Sequence, residues 1–447
     1  MDNIKEILVI SEYFAPQNSI ASIRFTKVLK YLSRKNKYHF VVITRKFEGN
    51  PDPMLQNELR EMGPSVSSYS IDILDNIVDK IRNRKRKIKL SKETPIASSS
   101  TNAIKFKPYR ASTSTERLYK LVNTLKYIYN EMLFARRGIA LINSLDIRFD
   151  CIVSSYGDAG SHLLALKYLK KFPDIRWIAD YRDPAITYYR PPIFNPFFDS
   201  ILNKSIKKAH AITGVNKISM GKCANTTKSF VIINGFDSED REEARKGSIR
   251  LNKEKFHICY TGRIYGGKSD ARILFKAIHS LGQSGEILLS DFQIDYAGSN
   301  FDLLYHQAAE FDLTGLLVNH GYVQRRDSMA IQNQSQILLV LSWNDDDEED
   351  VLTGKFMEYL LSERNILAIV KGNKLDCSIY RIINASNSGF CYEEARGDSE
   401  YKNFKRYILE LYQMFKENGE VTYRGNPDVL KQFDYKNIAD EFEMLIL

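Results

Sequence analysis

The chain has 447 residues, 43% of them hydrophobic and 12% aromatic, and its 64 Lys and Arg outnumber 55 Asp and Glu for a formal charge of +9. That length exceeds one ordinary hydrophobic core and suits two domains of about 200 residues each. No run of about 18 or more apolar residues occurs, and Met1-Asp2-Asn3-Ile4-Lys5-Glu6 lacks the cationic start and apolar core of a signal peptide, so a cytoplasmic protein is expected. Cys151, Cys223, Cys259, Cys377 and Cys391 have neither metal-type nor redox-type spacing, which makes them reduced, small core residues.

In chain order, Ile7-Leu8-Val9-Ile10 predicts a strand, Ile23 to Leu32 a helix and Phe40 to Thr44 a second strand, the alternation of a helix-covered parallel sheet. The pattern breaks from about residue 72 to 143. Between Lys80 and Lys92 stand eight Lys or Arg and no acid, followed by a polar stretch and the helical run Leu118 to Phe134. A solvated insertion and an anionic membrane surface both account for this basic run, whereas nucleic acid lacks the stacking aromatics it would need. Alternation resumes with strands at Cys151 to Val153, Arg176 to Ala179, Ala211 to Thr213 and Phe230 to Ile233. The charged stretch 238–255 reads as an interdomain connection. Further strands follow at Phe256 to Tyr260, Phe292 to Tyr296, before Gly321, at Ile337 to Leu341 and at Ile366 to Val370. The expected division is 1–237, 238–255, 256–430 and a last helix, 431–447, returning to the first domain.

Two cationic segments fall where strand-to-helix turns are expected. Tyr260-Thr261-Gly262-Arg263-Ile264-Tyr265-Gly266-Gly267-Lys268 follows one strand, and Leu352-Thr353-Gly354-Lys355-Phe356-Met357-Glu358-Tyr359-Leu360 follows another. Each sets glycine beside a cation at a turn whose free N–H groups attract anions. Glu358 lies about one helical turn after Lys355. A carboxylate there disfavours phosphate and favours a ribose diol, so the pair reads as phosphate followed by ribose; taken alone it would read first as an ordinary helix-surface pair, and the second phosphate-type turn reverses that order.

Gly262-Arg263, Lys268 and the Gly354 to Leu360 block together resemble the donor site of the family 4 glycosyltransferases, retaining enzymes of the α/β GT-B fold with two Rossmann-like domains facing a cleft. Tyr13 to Arg24 is similar to that family's acceptor-side loop, Trp177-Ile178-Ala179-Asp180-Tyr181-Arg182-Asp183-Pro184 to its Asp-x-Arg-Asp-Pro block, and Ile233-Asn234-Gly235-Phe236-Asp237 to its Asn-Gly-x-Asp turn. Two departures stand out: the first of two family glutamates appears as Asp350, and Asn18-Ser19 replaces a Gly-Gly pair.

The resemblance implies a UDP- or GDP-type nucleotide-diphosphate sugar as donor and a lipid-linked or polysaccharide acceptor, with neither a tightly bound cofactor nor an essential metal. It implies catalytic roles for Arg263, Lys268 and Glu358, and donor contacts from Gly262, Thr353, Gly354, Lys355, Asp350, Tyr322 and Val323. Acceptor contacts are expected from Asn18, Ser19, Ile20, Arg24, Asp158, Asp180, Arg182 and Asp183. The expected location is cytoplasmic, at the inner membrane face through Lys80 to Lys92. Asp345-Asp346-Asp347 could mimic metal-binding acids, but six acids in the seven residues Asn344 to Asp350 read as a solvated loop. His162 could face the cleft or sit satisfied in a helix, and Asp180 and Asp183 could pair with Arg182. A GT-B nucleotide-sugar epimerase and an inactive sugar-nucleotide-binding scaffold remain as alternatives.

Overall fold

The computed structural model describes residues 4–73, 114–187, 190–346 and 350–447. The basic run Lys80 to Lys92, Tyr188-Tyr189 and Asp347 lie outside them. The first seven strands are β1 Lys5–Ser11, β2 Tyr38–Arg45, β3 Val66–Ile71, β4 Cys151–Tyr156, β5 Arg176–Tyr181, β6 Ala211–Gly214 and β7 Ser229–Val231. They form one parallel sheet in the order β3-β2-β1-β4-β5-β6-β7. The remaining six are β8 Phe256–Thr261, β9 Phe292–Ala297, β10 Leu317–Gly321, β11 Ile337–Trp343, β12 Asn365–Lys371 and β13 Gly389–Glu393. These make a second parallel sheet, β10-β9-β8-β11-β12-β13.

Central strands read as unbroken apolar runs because helices cover both faces of a parallel sheet. Ile7 to Ile10 and Ile337 to Leu341 are accordingly buried throughout. The edge strand β3, Val-Ser-Ser-Tyr-Ser-Ile, buries only its two ends and carries no such run. In each sheet the strand order reverses once, between β1 and β4 and between β8 and β11. Crevices outside the carboxyl ends at such points are where doubly wound folds take ligands.

The chain crosses back at its end. The Tyr435–Ile446 helix puts Tyr435, Ile438, Phe442 and Ile446 into one core with Ile7, Val9, Phe25 and Leu29 of the first sheet. The connecting stretch after Ser238 is itself partly helical, and the Asp240–Arg245 helix buries Asp240 and Ala244. All five cysteines are buried and unpaired.

Candidate functional site

A cleft of about 310 Å³ opens between the carboxyl ends of the two sheets. The first sheet contributes Asn18, Ser19 and Ile20 from the loop after β1, and the chain between the sheets contributes Asn234 to Asp237. The second contributes Gly262 and Arg263 after β8, Tyr322 and Val323 after β10, and Gly354, Lys355 and Glu358 after β11. Ser19 is also the N-cap of the Ile20–Ser33 helix, its hydroxyl accepting from Ser22 N at 3.2 Å.

The two cationic segments adjoin. A Cβ on Gly262 would lie 3.6 Å from Lys355 Cγ, and at φ +148° that position favours glycine. Gly354 is fixed by the opposite wall, since a Cβ there would meet Ile20 Cδ1 at 2.2 Å. No side chain caps the Gly354–Leu361 helix, so its first amides face the cleft with the dipole's positive end. Thr353 holds the N-cap position and is not among the lining residues. Arg263 is exposed at the cleft, its guanidinium 5.4 Å from the Tyr265 ring centroid.

Glu358 sits at the base of this wall, 8% exposed. Its Oε1 accepts from Gln332 Nε2 at 2.6 Å and Lys355 Nζ at 3.1 Å, while Oε2 receives only a long 3.4 Å contact from Arg325 Nε. Burial works to raise its pKa, yet the charges of Lys355 and Arg325 and the Gln332 bond prevail and hold it at about 2. The group is therefore an ionised acceptor at neutral pH with one oxygen largely open to hydroxyl donors.

A buried ionic chain runs from this glutamate into the first domain. Arg325 donates to Asp240 at 2.8 Å, and Lys27 Nζ reaches Asp240 at 2.6 Å, Asp237 at 2.7 Å and Glu58. Glu58, Asp237 and Asp240 lie close enough to hold a cation. The Lys27 ammonium already occupies the point where they converge.

Several acceptor-side expectations are corrected. Arg24 and Asp180 are fully buried as an ion pair at 2.8 Å. Arg24 also donates to the carbonyls of Ile232 and Ile233, and Asp180 accepts from Ser155 and Thr213, so both are engaged inside the scaffold of the first domain. Asp158 accepts from Tyr13 at 2.7 Å. Arg182 binds Asp183 at 2.6 Å and lies over the Tyr13 ring, so these three stand at the carboxyl ends of β4 and β5 without lining the cleft.

Two donor-side residues also sit apart from the lining. Asp350, at φ +51°, caps the Ser378–Ser386 helix instead, accepting from Ser378 Oγ at 2.6 Å. Lys268 Nζ bonds Asp345 Oδ2 at 2.7 Å. At the start of the acidic loop Asp345 and the exposed Asp346 each have a lysine partner, Asp346 lying 3.3 Å from Lys374. His162 is a core residue: it is fully buried among Tyr156, Trp177 and Tyr181, and desolvation lowers its pKa to about 3.

The first sheet has its own buried carboxylates at its reversal point. Glu12, just past β1, and Glu131, on the Ser114–Ser144 helix, share Arg45 from the end of β2, and Gly160 N donates to Glu131 at 2.7 Å. Burial, then the charge of the other carboxylate, pushes Glu12 well above the usual range; Glu131 is raised chiefly by burial.

Sequence reasoning missed Lys27, Asp240, Arg325, Ser328 and Gln332. The last three recur at helical spacing along the Arg325–Gln334 helix, and all are buried. A polar set on a buried helix face was the available signal.

No protein-family model and no curated protein sequence matches the chain. Solved structures do. Sucrose-phosphate synthase from Thermosynechococcus elongatus superposes with TM-score 0.58 at 12% identity over 99% of this chain and 98% of that one. The E. coli trehalose-6-phosphate structure bound with UDP-2-fluoro glucose gives 0.58 at 12% identity over 99% of both. UDP-GlcNAc 2-epimerase from Methanocaldococcus jannaschii gives 0.51 at 8% identity over 99% of both. Likeness at such identity speaks for the fold alone, and it establishes that the chain has the predicted GT-B architecture of two parallel-sheet α/β domains.

Proposed function

We propose that the chain is a glycosyltransferase that moves a sugar from a nucleotide-diphosphate donor to a lipid-linked or polysaccharide acceptor with retention of anomeric configuration. The observation that carries this reading is the convergence of Gly262-Arg263 and Gly354-Lys355-Glu358 on one cleft. Open amides and two cations stand where a diphosphate would lie, and an ionised carboxylate stands one turn further in.

Departure of a nucleoside diphosphate leaves positive charge on the sugar carbon and negative charge on phosphate. Arg263 offers a planar fork for two phosphate oxygens, Lys355 a mobile charge, and the Gly354 helix end fixed dipoles that need little reorganisation. Lys268 is assigned to the same task when Asp345 releases it. Glu358 Oε2 would take the ribose hydroxyls. The departing phosphate would accept the acceptor hydroxyl's proton, so no protein nucleophile is needed.

Thermal shift with UDP, GDP and their sugars tests the donor assignment, because a ligand of the folded state raises its melting temperature. No rise with any of them sinks it. The epimerase fold among the similar structures keeps a second reading open. Incubation with UDP-GlcNAc and no acceptor separates the two: formation of an epimer selects the epimerase.

A further inference from the structure

We propose that one face of the first domain, built from the Ser114–Ser144, Ala159–Lys171 and Asn195–Lys208 helices, docks on an anionic bilayer surface. Along the first of these helices, Leu118, Val122, Leu125, Tyr129 and Met132 recur at alternating steps of four and three, which aligns them on one stripe. All five are between 51% and 62% exposed. Soluble surfaces carry single apolar residues freely, but a contiguous apolar stripe marks an interaction site.

The stripe runs into a groove of about 490 Å³ between the three helices. Leu133, Leu163, Leu166 and Phe197 give it apolar walls. Its cations are Arg136, Lys167, Lys170, Lys204 and Lys208, all exposed, and no acid lines it among the described residues. None of these five has an ion-pair partner among the described residues. Unpaired cations around an apolar floor match a surface that is anionic outside and hydrocarbon within.

A second copy of the chain fits less well. Pairing two such stripes would bring two cationic rims together, and Glu131, beside the stripe's last residue Met132, is turned inward at 1% exposure and cannot offset them.

The placement follows from one hydrogen bond. Tyr127 OH accepts from Ala159 N at 3.0 Å, in the first turn after β4, so the helix before Tyr127 projects past the carboxyl edge of the first sheet, the edge that bears the cleft. Docking through this stripe would hold the cleft mouth toward the lipid. That consequence for the acceptor rests on the proposed function; the docking itself does not.

The test is cosedimentation of the full chain with vesicles of phosphatidylcholine alone or mixed with phosphatidylglycerol. Two exposed-surface variants accompany it, Val122→Ser/Leu125→Ser/Tyr129→Ser and Lys167→Ser/Lys170→Ser/Lys204→Ser/Lys208→Ser. Wild type should pellet with the mixed vesicles only, and each variant should bind about tenfold more weakly or worse. Circular dichroism and the nucleotide thermal shift should not change. Three outcomes overturn the proposal: no pelleting of wild type, undiminished pelleting of both variants, which would assign lipid binding to another segment such as Lys80 to Lys92, or a wild-type dimer that the first variant dissolves. A missing nucleotide response in every protein would instead break the donor assignment and leave the vesicle result intact.

Discussion

Glu358 and the Glu12–Glu131 pair are both buried carboxylates at the reversal points of their sheets, yet their surroundings push them in opposite directions. Glu358 has Lys355 and Arg325 beside it and is held at about 2, with the cleft open next to it. Glu12 and Glu131 have one shared arginine, with Asp158 adding a third acid, and both are raised. Cations beside a carboxylate keep it ionised, so its open oxygen stays an acceptor for a ligand. A surplus of acids is relieved by keeping a proton. The sign of the local imbalance, rather than burial or position in the fold, separates a wall prepared for a ligand from one that satisfies itself.

The largest expected effect lies on the self-satisfied side. Asp180→Ala strands Arg24 as an unpaired buried cation and should cost about 3 to 5 kcal/mol in urea unfolding. An unchanged midpoint with lost transfer activity would return Asp180 to the acceptor site.

On the open side, Arg263→Ala should lower turnover about 100-fold, near 3 kcal/mol of barrier, without loss of stability, because the side chain is exposed. Lys268→Ala is expected to match it. If only Arg263→Ala falls, the Lys268–Asp345 pair is a structural tie.

Glu358→Gln should weaken a ribonucleotide by about tenfold in titration calorimetry and a deoxyribonucleotide by less, since an amide accepts hydroxyl hydrogens less strongly than a carboxylate. Equal losses for both would remove the ribose role.

The smallest effect is in the pH profile. The folded pKa of Glu358 is depressed from 4.5 to about 2, so its contribution is complete above 4.5 and disappears as pH falls toward 2. The melting-temperature gap between wild type and Glu358→Gln should narrow over that window. Glu12 is raised, so the unfolded chain releases its proton first and wild type loses stability as pH climbs above 4.5. Glu12→Gln should gain on wild type there. Parallel trends in both variants would erase the contrast.

The sequence made the central strands and both glycine-cation turns legible, because apolar runs and unusual backbone needs are local properties. It did not mark β3, whose edge position requires little apolar content. Nor did it show that Arg24 and Asp180, 156 positions apart, would meet inside the first domain. An arginine in a motif looks the same whether its partner is a phosphate or a distant aspartate. Arg325 was hidden for the converse reason: its partners Asp240 and Glu358 lie in two other segments, and only the assembled cleft brings them to it.

The returning last helix has a consequence in time. The first sheet leaves the ribosome early, but Tyr435, Ile438, Phe442 and Ile446, which complete one side of its core, are made only after the whole second sheet. Until the last helix has been made, Phe25 has no Phe442 at 5.5 Å to cover it. The domain synthesised first is thus completed only after the second sheet, and a nascent chain stalled anywhere in that sheet presents an open apolar seam to chaperones.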